Sequence, residues 1–300
     1  MRSPSNLIVR MAPMVFVLLW ATGFVGAKYG TSDAEPFTFL AIRFAITFFI
    51  LLPFILLFIP RSGFNLPQIL HSMIIGCFIQ ALYLGGIFYA IDRGMAAGIS
   101  SLVVALQPFF TAVFAFALLG ERNSLRKVGF FLAALAGVGL VLFPDLDLQG
   151  AIPGINVETL AATIIGTLAI SFGAVYQKRN VTSLNLWVST TAQFAGAAML
   201  TGLCAYFFEE GSITWSNQVI FSLAWLIFVL SIGAVALLMY LIRKGDTSSV
   251  ASLFFLVPVV ALFMSWVLFG EALVPMQFAG SALVVISVAL ASRKNETAHR

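Results

Sequence analysis

The sequence predicts an all-α integral membrane protein with ten transmembrane helices, arranged as two inverted five-helix repeats. Apolar residues make up 61% of the 300 residues and charged residues only 9%, whereas a soluble domain carries roughly 25% charged residues. The apolar residues fall into ten runs, and motifs of the first half recur 150 residues later in the second half. These three observations predict the fold class.

Each predicted helix is an apolar run bounded by charges, prolines or glycines, close to the ~20 residues that cross the hydrocarbon core of a membrane. The loops between the runs are short. The run 11–29 follows Arg2 and Arg10, as a signal peptide would, but its repeat counterpart is the sixth helix, so we expect a retained first helix. The predicted spans are 11–29, 36–59, 69–91, 96–119, 125–143, 155–177, 185–208, 218–242, 248–269 and 275–291.

The duplication has one constant offset of 150 residues and needs no gap. It predicts two structural units, residues 1–150 and 151–300. Internal repeats of this kind are typical of secondary transporters, whose sites lie between the repeats. The equivalent residues include Gly23 and Gly173, Lys28 and Lys178, Arg43 and Gln193, Pro108 and Pro258, Gly120 and Gly270, and Glu121 and Glu271.

The distribution of positive charge predicts the orientation. If the N-terminus is inside, thirteen Lys and Arg residues lie in inside segments, and only Lys28 and Arg93 lie in outside loops. Positive residues concentrate on the cytoplasmic side, so both termini should be cytoplasmic. A unit of five helices starts and ends on opposite sides, so the second unit should enter the membrane inverted, an arrangement that suits alternating access.

These motifs together resemble the drug/metabolite transporter superfamily, in particular the ten-helix EamA-type exporters of bacteria. The resemblance rests on a Trp20-to-Gly23 segment in a helix that ends in Lys28, on Arg43 in helix two, and on a Pro108 helix that closes with Gly120 and Glu121. It covers nearly the whole chain, and the second half repeats the Pro and Gly-Glu elements.

The resemblance implies a multi-pass protein of the bacterial inner (plasma) membrane that exports a small metabolite, an amino acid or related compound, by alternating access. A carrier of sugars, sugar conjugates or drugs is the alternative within the superfamily. A non-transporting membrane receptor is a remote alternative, because a receptor gains nothing from an inverted duplication. The expected partners are a small-molecule substrate and the lipid bilayer. We expect a monomer, with a homodimer through glycine-rich helices five and ten left open.

Other classes of protein lack the residues that they need. There are only two His residues and no HExxH motif or Ser-His constellation, so we expect neither an enzyme nor a metal site. No nucleotide motif or other cofactor signature appears. Lys and Arg are scattered among loops, which argues against nucleic-acid binding. No acid lies near the middle of a span, which favours facilitated, gradient-driven or exchange transport over a midplane proton relay. Coupling through an acid at a helix end stays open.

Arg43 is the charge predicted to lie deepest, roughly 10 Å into the second helix. An unpaired charge at that depth is costly. It should therefore meet a carboxylate of the substrate or form a gating pair with an outside acid, unless its side chain snorkels to the surface. The other predicted cavity residues share polar or aromatic groups on helices that the resemblance implies line the site, and each could instead bridge two helices: Trp20, Gln80, Tyr83, Gln107, Ser171 and Tyr240.

Three equivalent pairs have predicted roles outside substrate contact. Lys28 and Lys178 end the first and sixth helices and are either gates, closing on Glu271 or Glu121, or interfacial anchors. Pro108 and Pro258 interrupt backbone hydrogen bonding and should act as hinges or cavity walls. Glu121 and Glu271 lie at helix C-termini, where an acid opposes the helix dipole, so we expect a structural role at the start of the next helix.

Overall fold

The computed structural model describes residues 4–121, 125–147, 154–244, 253–271 and 275–292, which form ten helical elements. Their order matches the ten predicted spans. The elements are α1 (Pro4–Gly30), α2 (Pro36–Phe58), α3 (Leu66–Asp92), α4 (Ala97–Leu119), α5 (Leu125–Asp147), α6 (Val157–Asn180), α7 (Leu186–Phe208), α8 (217–244), α9 (Val257–Phe269) and α10 (Pro275–Ser292).

The described helices confirm the all-α membrane fold class. Seven of them are long and apolar enough to cross a membrane: α1 to α4 and α6 to α8. Shorter apolar stretches lie in α5, α9 and α10. Pairing of β type in the described residues is limited to one isolated bridge, between Ala34 and Ile213.

Local side-chain chemistry sets where several helices begin. The side chain of Asn65 accepts a hydrogen bond from the Gln68 backbone N–H at the start of α3, and Ser216 does the same for Val219 in α8. Asn156 forms a reciprocal capping box with Thr159 at the start of α6. These caps satisfy N–H groups that have no partner inside a helix.

The Gly-Glu motif ends α4 and α9 in the same way. Gly120 and Gly270 both adopt the left-handed conformation, with φ of 69° and 66°. Glycine alone adopts it without steric cost, so it turns the chain sharply after the helix. The repeated glycine therefore has a structural explanation, and it places the following Glu at the same position in both repeats.

One face of the bundle carries the C-terminal end of α1, and we call it the Lys28 face. There Ala34, in the loop after α1, pairs with Ile213, in the loop before α8. Arg93, which follows α3, forms an ion pair with Glu158 at the start of α6 (3.5 Å). This face therefore gathers the loops that follow α1, α3 and α7 together with the start of α6.

The opposite face carries the C-terminal end of α6, and we call it the Lys178 face. Gln68, at the start of α3, hydrogen-bonds Ser183 and the Leu184 backbone in the loop after α6. Because α1 ends on the Lys28 face and α6 ends on the Lys178 face, the two five-helix repeats are inverted, as predicted.

Two pairs of equivalent helices are interrupted. α4 breaks between Val104 and Gln107, immediately before Pro108, and α9 is preceded by a 3-10 turn, Phe254–Leu256, immediately before Pro258. Each proline lies in the first turn of the segment that follows, where its missing N–H costs nothing. α3 contains a π-helical segment, Cys77–Leu82, and α8 contains another, Trp225–Ala234. When 150 is subtracted from the residue numbers of the α8 segment, it overlaps the segment of α3.

α5 and α10 pack directly against each other. A Cβ atom on Gly137 of α5 would lie 2.8 Å from the Gly280 carbonyl oxygen of α10, so this contact needs the absence of a side chain. Small residues thus bring these two helices close together within one chain. A Cβ on Gly129 or Gly139 would meet nothing within 4 Å, and the homodimer remains a prediction.

Candidate substrate cavity

A cavity of ≈ 120 Å³ lies between α1, α2 and α3 of the first repeat and α6, α7 and α8 of the second. Both π-helical segments reach it, through Ile79 and Gln80 of α3 and through Leu230 and Ser231 of α8. π-Helical turns are frequent at functional sites because they displace side chains from the regular helical positions. Because the cavity lies between the two repeats, it is at the position where transporters built from inverted repeats hold their ligands.

Arg43 supplies a positive charge in the wall of the cavity. The residue is only 2% exposed, so its side chain does not snorkel to the surface. Nη2 donates a hydrogen bond to Ser231 Oγ across the cavity (3.1 Å), and the guanidinium lies 5.4 Å from the centre of the Phe44 ring. Nε and Nη1 are buried without a hydrogen-bond partner in the described part of the chain. A guanidinium has five N–H donors, so at least three of them are unbonded.

Three other predicted cavity residues share the cavity wall with Arg43. Trp20 of α1 packs between Phe16 and Phe254, with ring centres 5.3 and 5.2 Å away. Gln80 and Tyr83 lie in or beside the π segment of α3. They add an amide and a phenol, which can donate and accept hydrogen bonds.

The rest of the wall is apolar and comes from both repeats. Phe194 of α7 packs against Phe44, with ring centres 5.9 Å apart, and so covers one side of the Arg43 site. Ile170 of α6 occupies the position equivalent to Trp20, and both line the cavity. The cavity thus combines one cation with a few polar groups on a hydrophobic wall, as small-molecule sites commonly do. The other apolar lining residues are Phe24, Ile79, Leu84, Ile87, Phe88, Leu230 and Val235.

The remaining predicted cavity residues lie elsewhere in the described bundle. Ser171 is fully buried, and its Oγ lies within hydrogen-bond distance of the carbonyl oxygens of Thr167 (2.7 Å) and Gln107 (3.1 Å), so it links α6 to α4. Gln107 participates through its backbone, next to the break in α4. Tyr240, in the last part of α8, is 37% exposed. None of these three contributes to the cavity wall, and their substrate contact stays a prediction.

The two repeat-equivalent lysines pair with the two repeat-equivalent glutamates. Lys28 Nζ lies 3.2 Å from Glu271 Oε1 on one face, and Lys178 Nζ lies 2.6 Å from Glu121 Oε1 on the other. Each pair joins one repeat to the other. The residues 122–124 and 272–274, where the expected contacts of the glutamates with the next helix would fall, lie outside the described residues.

Sequence reasoning missed Ser231, which accepts the hydrogen bond from Arg43. Its repeat equivalent is Ala81, so the duplication gives no signal for it. It also lies in the π segment of α8, which the apolar sequence of that run does not distinguish from an ordinary helix. A serine in a mainly apolar span was a weak signal, since a buried hydroxyl needs a partner, and the same run also contains Ser222.

A membrane-embedded bundle of two inverted repeats around a charged central cavity defines a transporter-type membrane protein. The chain belongs to the EamA-like transporter family, whose model matches residues 9–143 and 158–293. This finding confirms the resemblance to the drug/metabolite transporter superfamily. The two matched ranges coincide with the two sets of five helices.

Curated relatives cover most of the chain. It is 30% identical over 288 residues to the "Probable amino-acid metabolite efflux pump" of Escherichia coli (strain K12), with 91% of this chain and 90% of that protein covered. It is 25% identical over 276 residues to the "Uncharacterized inner membrane transporter YedA" of the same organism, covering 91% of this chain and 87% of that protein.

A solved structure supports the same fold. The chain superimposes on a crystal structure with a TM-score of 0.64, covering 96% of this chain and 97% of that one, at 22% sequence identity. At this identity the match concerns the fold and not the substrate.

Proposed function

We propose that the chain exports a small metabolite, an amino acid or related compound with a carboxylate group, across the bacterial inner membrane. Transport occurs by alternating access, in which the two inverted repeats exchange conformations around the cavity. Both termini are cytoplasmic, so the Lys28 face is periplasmic and the Lys178 face is cytoplasmic.

The observation that carries this proposal is that Arg43 is buried while several of its N–H groups have no described hydrogen-bond partner. A buried cation whose donors are left unbonded costs stability, and this cost is retained in proteins mainly at functional sites. A substrate carboxylate can accept two parallel hydrogen bonds from one guanidinium. The name of the Escherichia coli relative, an amino-acid metabolite efflux pump, supports a substrate of this kind.

The dimensions of the cavity favour a small metabolite over a sugar conjugate or a drug. Its volume of ≈ 120 Å³ is below the ~300–1,000 Å³ of typical pockets for drug-sized ligands. Among the described residues that line the cavity, Arg43 is also the one Lys or Arg. Nucleotide sugars, with two phosphate groups, would call for more than one cation.

Substitution of Arg43 tests the proposal. Arg43→Leu should abolish uptake of a pooled metabolite mixture into proteoliposomes, measured by mass spectrometry. The same substitution should preserve or raise the thermal midpoint of the purified protein, because an incompletely paired buried charge is replaced by an apolar side chain. Loss of transport together with a higher midpoint separates a binding role from a structural one.

Gln193→Leu is the matched control, because Gln193 is the repeat equivalent of Arg43 and does not line the cavity. It should transport as the wild type does. Transport by Arg43→Leu at the wild-type rate would contradict the proposal, and so would equal losses in the two variants.

Cysteine labelling tests the orientation. Ser32 on the Lys28 face and Ser183 on the Lys178 face are both exposed. In a background without Cys77 and Cys204, a membrane-impermeant maleimide added to intact cells should label Ser32→Cys, and should label Ser183→Cys only after the cells are opened. The reverse pattern would show that the termini are periplasmic.

A further inference from the structure

The charge balance of the cavity narrows the substrate class, if the proposed function holds. Arg43 brings one positive charge, and at least three of its N–H groups have no partner among the described residues. None of the side chains that line the cavity in the described part of the chain is Asp or Glu. The described side chains of the cavity therefore carry a net positive charge.

A zwitterionic amino acid fits this balance poorly. Its carboxylate would satisfy Arg43, but its ammonium would enter a largely apolar cavity that offers no opposite charge. Gln80, Tyr83 and Ser231 can each accept a hydrogen bond from an ammonium, yet none neutralises it. The ring of Trp20, which could hold a cation, already packs against Phe16 and Phe254.

A monoanion fits the same cavity well. One carboxylate would neutralise Arg43 and occupy its unbonded donors, and the wall around it would receive an apolar body. Phe24, Phe88, Phe194 and Leu230 supply that wall. Binding would then leave no net charge in the cavity.

We infer that the cavity selects a small organic monoanion, a carboxylate with an apolar body and no ammonium group, and that the membrane potential drives its export. The observation is an unneutralised Arg43 in a cavity whose described lining contains no acid. Each transport cycle moves one negative charge outward. The inside-negative potential of a bacterial cell favours this movement, so export needs no proton-carrying acid within a span.

A pair of compounds with one carbon skeleton and different charge tests the inference. Phenylpyruvate and phenylalanine differ in that a ketone replaces the ammonium group. Both are offered to proteoliposomes of the full chain with valinomycin and a tenfold potassium gradient that makes the inside positive. Proteoliposomes of Arg43→Gln measure the background leak.

Phenylpyruvate should enter at least tenfold faster than phenylalanine and should accumulate up to tenfold, because a monoanion at equilibrium balances the potassium gradient. Reversal of the gradient should reverse the accumulation. Phenylalanine uptake, where present, should not respond to the potential. Arg43→Lys, which keeps the charge but not the planar fork, should retain the preference for the anion at lower affinity.

Each alternative outcome overturns a defined claim. Faster transport of phenylalanine, or phenylpyruvate uptake that is insensitive to the potential, would overturn the inference and leave the proposed carrier function intact. If neither compound nor any member of a metabolite pool enters above the Arg43→Gln background, both the inference and the proposed function fail.

Discussion

The contact between α3 and α7 and its repeat equivalent, between α8 and α2, are built differently. A Cβ on Gly76 of α3 would clash with the backbone of Gln193, and a Cβ on Gly196 of α7 would clash with the backbone of Met73. The two backbones therefore touch, and we call this packing of α3 on α7 the closed contact. At the equivalent positions, α8 carries Leu226, whose side chain lies against Gly26 of α1, and α2 carries the exposed Ile46. Neither position is a glycine, so the second contact does not have the glycine packing of the first.

This difference explains why only one of two equivalent polar residues faces the cavity. Gln193 lies at the closed contact, with its backbone against Gly76 and its amide donating to Ser189 in its own helix (3.4 Å). Arg43 lies at the second contact, where its guanidinium reaches Ser231 of α8 and leaves donors free. The two equivalent contacts therefore differ both in their glycines and in whether their polar residue lines the cavity.

The polar groups of the cavity are divided just as unequally. The first repeat contributes Trp20, Arg43, Gln80 and Tyr83, whereas Ser231 is the hydrogen-bonding side chain that the second repeat adds to the described lining. The equivalents of Trp20 and Gln80 are Ile170 and Leu230, which line the cavity with apolar surface. One repeat therefore binds the polar end of a substrate and the other mainly shapes the space.

The largest effect is expected when a side chain is introduced into the closed contact. Gly76→Leu places in α3 the residue that its equivalent position holds in α8. Because the new side chain would meet backbone, which cannot rotate away, we expect almost no monodisperse protein after size-exclusion chromatography in detergent. Gly76→Ala should also lower the thermal midpoint, since overpacking costs about 1–3 kcal/mol.

Gly202→Ala provides the control in α7. A Cβ on Gly202 would meet nothing within 4 Å, so alanine should be neutral or slightly stabilising because it favours the helix. If Gly76→Ala were as stable as Gly202→Ala, the closed contact would not depend on the absence of a side chain, and the comparison would fail.

A smaller effect is expected when a polar cavity residue of the first repeat is replaced by its apolar equivalent from the second repeat. Gln80→Leu installs the residue of the second repeat at the equivalent position. Loss of one hydrogen bond to a charged substrate costs about 1.5–3 kcal/mol, so the Michaelis constant for transport should rise at least tenfold while the thermal midpoint changes little.

Leu230→Met tests whether shape alone accounts for such an effect. It conserves volume and apolar character on the opposite wall, and it should leave the Michaelis constant within about twofold of the wild type. A similar rise in both variants would mean that the two repeats contribute alike to substrate binding.

Most of the fold was predictable because its signals are long and regular. Ten apolar runs gave the helices, and the offset that links Pro108 to Pro258 and Glu121 to Glu271 gave the repeats. The odd number of helices in each unit then required inversion. These signals follow from the thickness of the bilayer and from duplication, so they survive in a single sequence.

The cavity was less predictable because it depends on departures from the repeat. The depth of Arg43 in an apolar span made it visible, but its partner Ser231 has no polar counterpart in the first repeat. The π-helical segments that carry Gln80 and Ser231 at the cavity also have no signature in residue type. Ser171 was predicted to line the cavity, yet it is placed between α6 and α4, since a buried serine can equally satisfy backbone carbonyls.

The smallest difference is expected between the two ion pairs that join the repeats. The Glu271 side chain is 16% exposed and its Oε2 has no described partner, whereas the Glu121 side chain is 49% exposed. Lys28→Met would leave a largely buried carboxylate uncompensated, at a cost of roughly 1–3 kcal/mol. Lys178→Met would remove an exposed pair, worth about 0–1 kcal/mol.

Thermal unfolding of the two variants in detergent measures this difference. Lys28→Met should melt several degrees below Lys178→Met, and adding Glu271→Gln to Lys28→Met should recover part of the loss, because the uncompensated charge is then gone. Addition of salt should weaken the Lys178 pair more than the Lys28 pair, since exposed charges are screened more strongly. Equal melting temperatures and equal salt responses would show that burial does not distinguish the two faces. The two repeats would then differ in the cavity and in the contacts of α3 and α8, but not in how their ends are joined.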